Sequence, residues 1–184
     1  MMKTRMILWI AAWLLAMPGT SAAEKTWLDI TKQFIVNPGF DGNSSEGWTY
    51  ESGASSQALS YDCMEFWNGW YYLQQQLTGL PKGHYRLSVQ AYYRCADNDI
   101  DYYDYKSNSQ HITGMLFADQ GDSRQEQALR SVYSESLDYD AAWNCWSADG
   151  RYYPNGMASG SECFGRGMYW NSMEFDAEGD LPVF

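Results

Sequence analysis

The sequence predicts a mainly-β domain that follows an N-terminal export signal. Residues 84–93 alternate apolar and polar side chains with a period of two, which is typical of a strand with one buried face. Clusters of Gly, Pro, Asn and Asp interrupt the apolar segments, for example at residues 37–45 and 78–83, and they predict turns. Short strands between such turns favour a β-sandwich or a β-barrel.

The first 23 residues have the organisation of a signal peptide. Lys3 and Arg5 form a basic start, and residues 6–17 form an apolar run that is too short to span a bilayer as a helix. Small residues at positions 20–23 then offer a cleavage site after Ala22 or Ala23. We therefore expect residues 1–23 to be a signal peptide and residues 24–184 to form one domain. The protein is expected to be secreted, periplasmic or at the cell surface, and not to span the membrane.

The remaining elements are predicted in chain order from short segments. Further strands are expected where apolar residues cluster, at residues 34–36, 47–50, 71–77, 112–118 and 170–176. Two polar stretches, 96–110 and 138–160, are expected to be long exposed loops. Residues 125–137 fit a short helix or an irregular strand, and residues 161–169 fit a single helical turn. Within the clearest strand the inward-facing residues are Tyr85, Leu87, Val89, Ala91 and Tyr93, and the alternate residues are expected to form a polar face.

Charge and cysteine content exclude some classes of partner. The net charge of −11 repels phosphate backbones, so nucleic acid is not expected as a partner. The four cysteines contain no C-x-x-C pair, so a zinc site is not indicated. Export would permit disulfides in any of three pairings, while buried free thiols are an equally good interpretation.

Several segments taken together resemble a known family. They are residues 37–41 (Asn-Pro-Gly-Phe-Asp), 47–48 (Gly-Trp), 65–68 (Glu-Phe-Trp-Asn), 77–87, 90–94 (Gln-Ala-Tyr-Tyr-Arg), 154–157 and 167–172. Their order and spacing are similar to the galactose-binding-domain-like, jelly-roll carbohydrate-binding modules of secreted proteins in polysaccharide-degrading bacteria. The resemblance implies a jelly-roll β-sandwich with a sugar-binding or accessory role. Such modules continue beyond the strand at 170–176, so we expect this chain to lack the C-terminal strand or strands.

The same resemblance implies a structural calcium ion. Modules of this kind often bind it through the acidic residue after the Pro-Gly-Phe turn, here Asp41, and an Asp on the closing strand, which this sequence lacks. A second acidic segment, residues 97–101, has the alternating carboxylates of a calcium loop. However, Tyr102 stands where an EF-hand needs Gly, and Asn108 stands where it needs Glu.

Aromatic residues in the predicted loops are the best candidates for a sugar site. An aromatic ring stacks on the apolar face of a pyranose, while amide and charged groups bind its hydroxyls. The predicted carbohydrate-binding residues share a loop position beside polar groups; they are Trp67, Asn68, Trp70, Tyr102, Trp143 and Trp146.

The expected function is therefore non-catalytic recognition of a polysaccharide or oligosaccharide. The alternative is a structural or adaptor domain that binds a protein partner in a surface or periplasmic assembly. A glycoside hydrolase is less favoured; Asp62, Glu65 or Glu174 could supply its carboxylates. Neither His84 nor His111 belongs to a recognisable catalytic motif, and no nucleophile elbow or phosphate-binding loop is present in the sequence.

Overall fold

A computed structural model describes residues 6–11, 26–138, 144–179 and 183, with the backbone alone for residues 6–11. Strands predominate in these ranges, which confirms the mainly-β prediction. The strands are β1 (Met6–Ala11), β2 (Trp27–Asp29), β3 (Thr49–Ser52), β4 (Ser56–Ser60), β5 (Cys63–Trp67), β6 (Tyr71–Gln74), β7 (Gly83–Gln90), β8 (Tyr92–Tyr93), β9 (Met115–Gln120), β10 (Ser123–Ala128), β11 (Arg130–Ser131), β12 (Cys145–Ala148), β13 (Arg151–Pro154) and β14 (Trp170–Ala177). The α-helices are α1 (Thr31–Phe34), α2 (Asn98–Lys106) and α3 (Met157–Gly165).

The largest sheet has four antiparallel strands in the order β14-β7-β1-β2. Its longest pairing joins β14 to β7, from Trp170 opposite Gln90 to Ala177 opposite Gly83. The other strands form two-stranded sheets: β3 with β6, β4 with β5, β9 with β10, and β12 with β13 are antiparallel, and β8 with β11 is parallel. The strand predicted at 170–176 is confirmed as β14.

Strand β7 confirms the predicted inward face and corrects the predicted outer face. Its inward-facing residues and their continuation into β8 are all buried: Tyr85, Leu87, Val89, Ala91 and Tyr93. The outer face is polar and partly exposed only at its start, because Ser88, Gln90 and Tyr92 are buried as well. Gln90 lies under α3, where its side-chain Nε2 donates hydrogen bonds to the carbonyl oxygens of Phe164 (2.8 Å) and Met168 (3.0 Å).

The two faces of the segment formed by β7 and β8 therefore contribute to two hydrophobic cores. The first core contains Tyr85, Leu87 and Val89 together with residues between β2 and β3, such as Phe40 and Trp48. The second core lies around α3 and is rich in tyrosine; its buried members are Tyr92, Tyr102, Val132, Tyr133, Leu137, Tyr153, Cys163, Phe164 and Tyr169. Tyrosine suits this position because its ring buries a large apolar area while its hydroxyl can still be hydrogen-bonded.

The predicted loop at 96–110 is wrong, because residues 98–106 form helix α2. Acidic Asp99 and Asp101 lie in its first turn and Lys106 lies in its last turn, an arrangement that the helix dipole favours. Asp101 and Tyr102 face inward and are buried. The helix was not predicted because its buried side is itself partly polar, so the sequence lacks the apolar stripe of an amphipathic helix.

The structure also differs from several other predicted elements. Residues 31–34 form α1, so the strand predicted at 34–36 is wrong. The strand predicted at 71–77 ends at Gln74, and Leu77 instead pairs with Val183 through backbone bonds of 2.7 and 3.2 Å. The loop predicted at 138–160 contains the hairpin β12–β13 and the start of α3; residues 139–143 lie outside the described residues. The ambiguous stretch at 125–137 holds most of β10, then β11 and a short 3₁₀ turn.

Two further expectations concern the membrane and the chain's N-terminus. Among the described residues, the helices are all too short or too polar to cross a bilayer. The expected cleavage region, residues 20–23, lies outside the described residues. Residues 6–11, which lie inside the expected signal peptide, form β1 between β7 and β2 in the main sheet, so removal of residues 1–23 would take this strand out of the sheet.

Removing the hydroxyl from each of two neighbouring tyrosines of the second core should change the stability of the protein in opposite directions. The rings of Tyr92 and Tyr169 lie 4.7 Å apart. Within the described part of the chain, the buried Tyr92 hydroxyl has no hydrogen-bond partner, whereas Tyr169 donates to the carbonyl oxygens of Val132 (2.8 Å) and Glu135 (3.0 Å). We expect Tyr92→Phe to raise the free energy of unfolding by about 1 kcal/mol and Tyr169→Phe to lower it by a similar amount.

Urea denaturation of both variants beside the unaltered protein measures this difference. Equal destabilisation by the two substitutions would contradict the hydrogen-bond assignment, because both remove the same atom from the same cluster.

Removal of β1 should destabilise the main sheet. Residues 6–10 pair with β7 and residues 9–11 pair with β2, so a chain that begins at Glu24 leaves both neighbours with unpaired backbone groups. We expect residues 24–184 to unfold at a lower temperature than residues 1–184 and to self-associate more. A chain lacking residues 1–5 keeps β1 and serves as the control. Thermal unfolding and size-exclusion chromatography test this, and a monomeric 24–184 chain with an unchanged sharp transition would refute it.

Candidate functional site

The structure separates the six residues predicted to bind sugar. Trp67 and Trp70 are exposed over 46% and 62% of their surface, so their rings are available to a ligand. Asn68 lies between them and is exposed too. Tyr102 is buried, Trp146 is partly buried, and Trp143 lies outside the described residues.

Trp67 lies at the edge of two adjoining cavities of about 530 Å³ and 410 Å³. Both cavities are lined by Trp67, Arg94, Ala96 and Asp97, and we call them together the Trp67–Arg94 cleft. The larger cavity is also lined by Asn68 and by aromatic residues, among them Tyr92 and Tyr93. The smaller one has the more polar lining, with Ser56, Glu65, Asn98, Asn155 and Gly156 as its further members. The cleft thus combines an aromatic part with a part rich in hydrogen-bonding groups.

The Asn68-Gly69 turn positions Trp67 at this cleft. Asn68 has φ +53°, a left-handed conformation that asparagine tolerates better than most residues. Gly69 has φ +159°, and a Cβ there would lie 2.4 Å from the carbonyl oxygen of Gly53. The turn therefore packs closely against residues 53–54. The Trp67 carbonyl oxygen, at the end of β5, accepts hydrogen bonds from the amide (3.0 Å) and the hydroxyl (3.2 Å) of Ser55.

Arg94 is the central polar residue of the cleft. Its guanidinium carbon lies 5.2 Å from the centroid of the Trp67 ring, within the range of a cation–π contact. Its Nη1 donates hydrogen bonds to the side-chain oxygens of Asn98 and Asn155, and Asn98 Nδ2 donates to Asn155 (3.2 Å). Arg94 follows β8, Asn98 begins α2 and Asn155 precedes α3, so three elements converge on one guanidinium.

The cleft rests on the protein's core. Tyr92 and Tyr93 are both buried, and Tyr92 belongs to the second core. Burial raises the pKa of the Tyr92 phenol well above its ordinary value, so this group stays neutral. Substitutions that remove these buried rings would therefore disturb the cores, whereas Trp67 and Arg94 lie where a ligand can reach them.

Trp70 belongs to a separate groove, so it does not form one site with Trp67. This groove of about 610 Å³ is lined by Thr49, Tyr50, Glu51, Trp70, Tyr71, Tyr72 and Gln74. It lies along the β3–β6 pair, whereas Trp67 ends β5, which pairs with β4. The Trp70 indole covers Gly53, where a Cβ would lie 2.3 Å from its nitrogen.

Tyr102 is a buried packing residue of the second core, which corrects its predicted role, and Trp146 packs against that core while remaining partly exposed. Their rings meet edge to face at 5.5 Å, and both contact Tyr133 and Tyr153. The Tyr102 hydroxyl donates a hydrogen bond to Asp149 (2.8 Å). The pKa of Tyr102 is raised, mainly by burial and to a lesser extent by this carboxylate. Burial leaves neither face of the Tyr102 ring free to stack on a sugar, so we remove it from the candidate site.

The acidic residues considered for calcium do not form a metal cage. Among the described residues, no group of three or more His, Cys, Asp or Glu side chains could hold a metal ion. Asp41 is exposed in a short 3₁₀ turn, and its amide donates to the side-chain oxygen of Asn37 (2.7 Å). Asp101 is buried and accepts hydrogen bonds from the Cys95 thiol (2.7 Å) and Gln110 (2.7 Å). Neither Asp41 nor Asp101 therefore lies in a cluster of acidic side chains within the part of the chain that the structure describes.

The three carboxylates considered for hydrolysis lie in different places. Glu65 lines the cleft. Asp62 accepts a hydrogen bond from the Asn43 amide at 3.2 Å. Glu174, on β14, contacts Arg86 (2.6 Å) and His84 Nε2 (2.9 Å), and Asp176 contacts the His84 Nδ1 (2.7 Å). The structure thus gives no pair from this set on opposite sides of one cavity.

The four cysteines are free thiols, which agrees with the second of the two interpretations left open by the sequence. Cys63 and Cys163 are buried, and Cys95 and Cys145 are partly buried. Burial raises the pKa of Cys163 to about 12, and burial together with the hydrogen bond to Asp101 raises that of Cys95 to about 12. Neither of these two thiols is activated as a nucleophile.

Comparisons with known proteins do not assign the chain to a group. No family model matches it, and the searches of curated proteins and of solved structures likewise give no match. The argument for function therefore depends on the cleft.

The His84 cluster predicts a pH dependence of stability. The protonated His84 ring donates hydrogen bonds to the carboxylates of Glu174 and Asp176, and these bonds raise the pKa of His84 above its ordinary value. The cluster's contribution is therefore complete below about pH 6.5, the pKa of an unperturbed histidine, and is lost as the pH rises through the higher folded-state pKa. We expect the unaltered protein to be more stable than His84→Gln by up to about 1 kcal/mol at pH 5.5, with a smaller difference at pH 8.5.

Urea denaturation at both pH values tests this, with the exposed His111→Gln as the control. A stability difference for His84→Gln that grows with pH would contradict the proposed direction.

Proposed function

We propose that the protein is an exported, non-catalytic carbohydrate-binding module of the jelly-roll, galactose-binding-like type. The observation that carries the proposal is the Trp67–Arg94 cleft, where a half-exposed indole stands beside a guanidinium, two amides and two carboxylates. The indole offers a face for the C–H side of a sugar ring. Arg94, Asn98 and Asn155 offer donors for its hydroxyls, and Glu65 and Asp97 offer acceptors.

The strand content and the main antiparallel sheet support the sandwich part of this proposal. The expected signal peptide, residues 1–23, supports the extracytoplasmic part, because polysaccharides too large to enter the cell must be bound outside it. The site is shallow and rests on the two aromatic cores, so ligand binding would require little rearrangement of the backbone.

A second candidate function is protein contact through the Trp70 groove. Trp70 and Tyr50 are exposed there, and the edge of Glu51 and Gln74 is polar. Exposed aromatic residues with a polar rim are common in protein–protein interfaces. A partner that co-purifies with the unaltered protein and is lost from Trp70→Ala, while glycan binding is unchanged, would favour this function.

The carbohydrate proposal predicts that affinity depends on Trp67. Stacking and burial of one productive ring contribute about 1–3 kcal/mol, so Trp67→Ala should weaken glycan binding about tenfold or more. Trp70→Ala, which removes another exposed indole, from the other groove, is the matched control and should bind nearly normally. A glycan microarray identifies the ligand, and isothermal titration calorimetry then measures both variants.

Circular dichroism spectra establish that the variants are folded. Unchanged affinity of folded Trp67→Ala would exclude the cleft, and release of reducing sugar from the bound glycan over time would indicate a hydrolase instead.

A further inference from the structure

Arg94 forms no ion pair with any residue that the structure describes. Three basic side chains in the described part of the chain are partly buried, namely His84, Arg86 and Arg94. His84 and Arg86 each contact a carboxylate within 3 Å. For Arg94, by contrast, no carboxylate of the described residues lies within 4.0 Å. This is unusual in a chain whose net charge is −11.

The contacts of Arg94 orient its guanidinium without neutralising it. Its hydrogen bonds to Asn98 and Asn155 both use Nη1, and both acceptors are neutral amide oxygens. Among the described residues, Nε and Nη2 have no acceptor. These two groups form the fork of parallel N–H donors with which an arginine binds a carboxylate or a sulfate through two hydrogen bonds.

A partly buried cation without a counterion has lost part of its hydration and received no ion pair in exchange. A ligand anion would supply the missing partner. Glu65 and Asp97 line the same cleft, but neither comes within 4.0 Å of the guanidinium, and their oxygens can accept hydrogen bonds from sugar hydroxyls.

We propose that the sugar bound in the Trp67–Arg94 cleft is acidic, and that its carboxylate or sulfate group accepts hydrogen bonds from Nε and Nη2 of Arg94 while its ring packs against Trp67. The inference rests on the proposed function, because it names the class of glycan that the cleft binds. It adds a charge requirement that stacking alone does not impose.

The test compares neutral and acidic glycans that share a backbone. The probes are tetragalacturonate, its fully methyl-esterified form, and galactotetraose with and without 6-sulfate, titrated calorimetrically into the full chain, residues 1–184, in 20 mM and 300 mM NaCl. We expect an acidic member to bind about tenfold or more tightly than its neutral counterpart in 300 mM NaCl, where salt screens the long-range repulsion from the net charge of −11 and from Glu65 and Asp97. In 20 mM NaCl this repulsion opposes the contact with Arg94, so the preference is expected to be smaller. The two pairs show whether a carboxylate or a sulfate is preferred.

Substitutions at Arg94 and at a control arginine test whether the preference for acidic glycans depends on the charge of Arg94. Arg94→Gln should abolish the preference for the acidic member, and Arg94→Lys should keep part of the preference but bind the acidic member more weakly, because lysine lacks the fork. Arg151→Gln is the matched control: it removes the same charge from an exposed arginine outside the cleft and should leave the preference intact.

The outcomes separate this inference from the proposed function. Equal binding of neutral and acidic members, weakened by Trp67→Ala but not by Arg94→Gln, would overturn the inference and leave the carbohydrate proposal standing. A preference that Arg151→Gln reduces as much as Arg94→Gln would also overturn it. Binding of none of these probes, together with an empty glycan microarray, would overturn both.

Discussion

The hydrogen bonds of Gln90 join the main sheet to the segment around α3. Its amide nitrogen, buried at the end of β7, donates to the carbonyl oxygens of Phe164 and Met168 at the C-terminal end of α3. Buried Asn171 on β14 binds the same region, with its amide nitrogen donating to Ala91 (2.8 Å) and Tyr169 (2.9 Å). A buried amide without partners costs about 1–3 kcal/mol, so these contacts hold α3 against the sheet in one register. The placement of α3 in turn fixes Asn155, which binds Arg94.

The sequence predicted the structure where one local pattern was sufficient. The period of two at residues 84–93 identified the inward face of β7, because alternation alone determines which side chains share a face. It could not show that Gln90 is buried too, since that depends on α3, more than 60 residues later. Helix α2 was missed for a related reason. Asp101 looks like a loop residue until Cys95 and Gln110 are known to bind its carboxylate.

The candidate site was predicted in part. The residues that were found have local sequence signals, and those that were missed depend on contacts with distant parts of the chain. Trp67 was identified from its loop position and polar neighbours, which are local properties. Trp70 lies only three residues away but faces another groove, because β5 pairs with β4 whereas β6 pairs with β3. Arg94 was named only within the resembling segment 90–94. Its importance comes from Asn155, 61 residues distant, and from the Trp67 ring, so no sequence window contains it.

The separation of the buried cores from the cleft also determines which substitutions could change the proposed ligand preference without unfolding the protein. Tyr92 and Tyr93 line the cleft but are buried, so their replacement would alter packing before it altered specificity. Trp67 and Arg94 stand at its accessible side, and the elements that hold them are fixed by other residues: the Asn68-Gly69 turn for Trp67, and β8 with α2 and α3 for Arg94. Substitution at either position can therefore change the stacking surface or the charge of the cleft while both aromatic cores remain intact. Variation of ligand within this fold is thus expected at these two side chains and not in the tyrosine-rich floor beneath them.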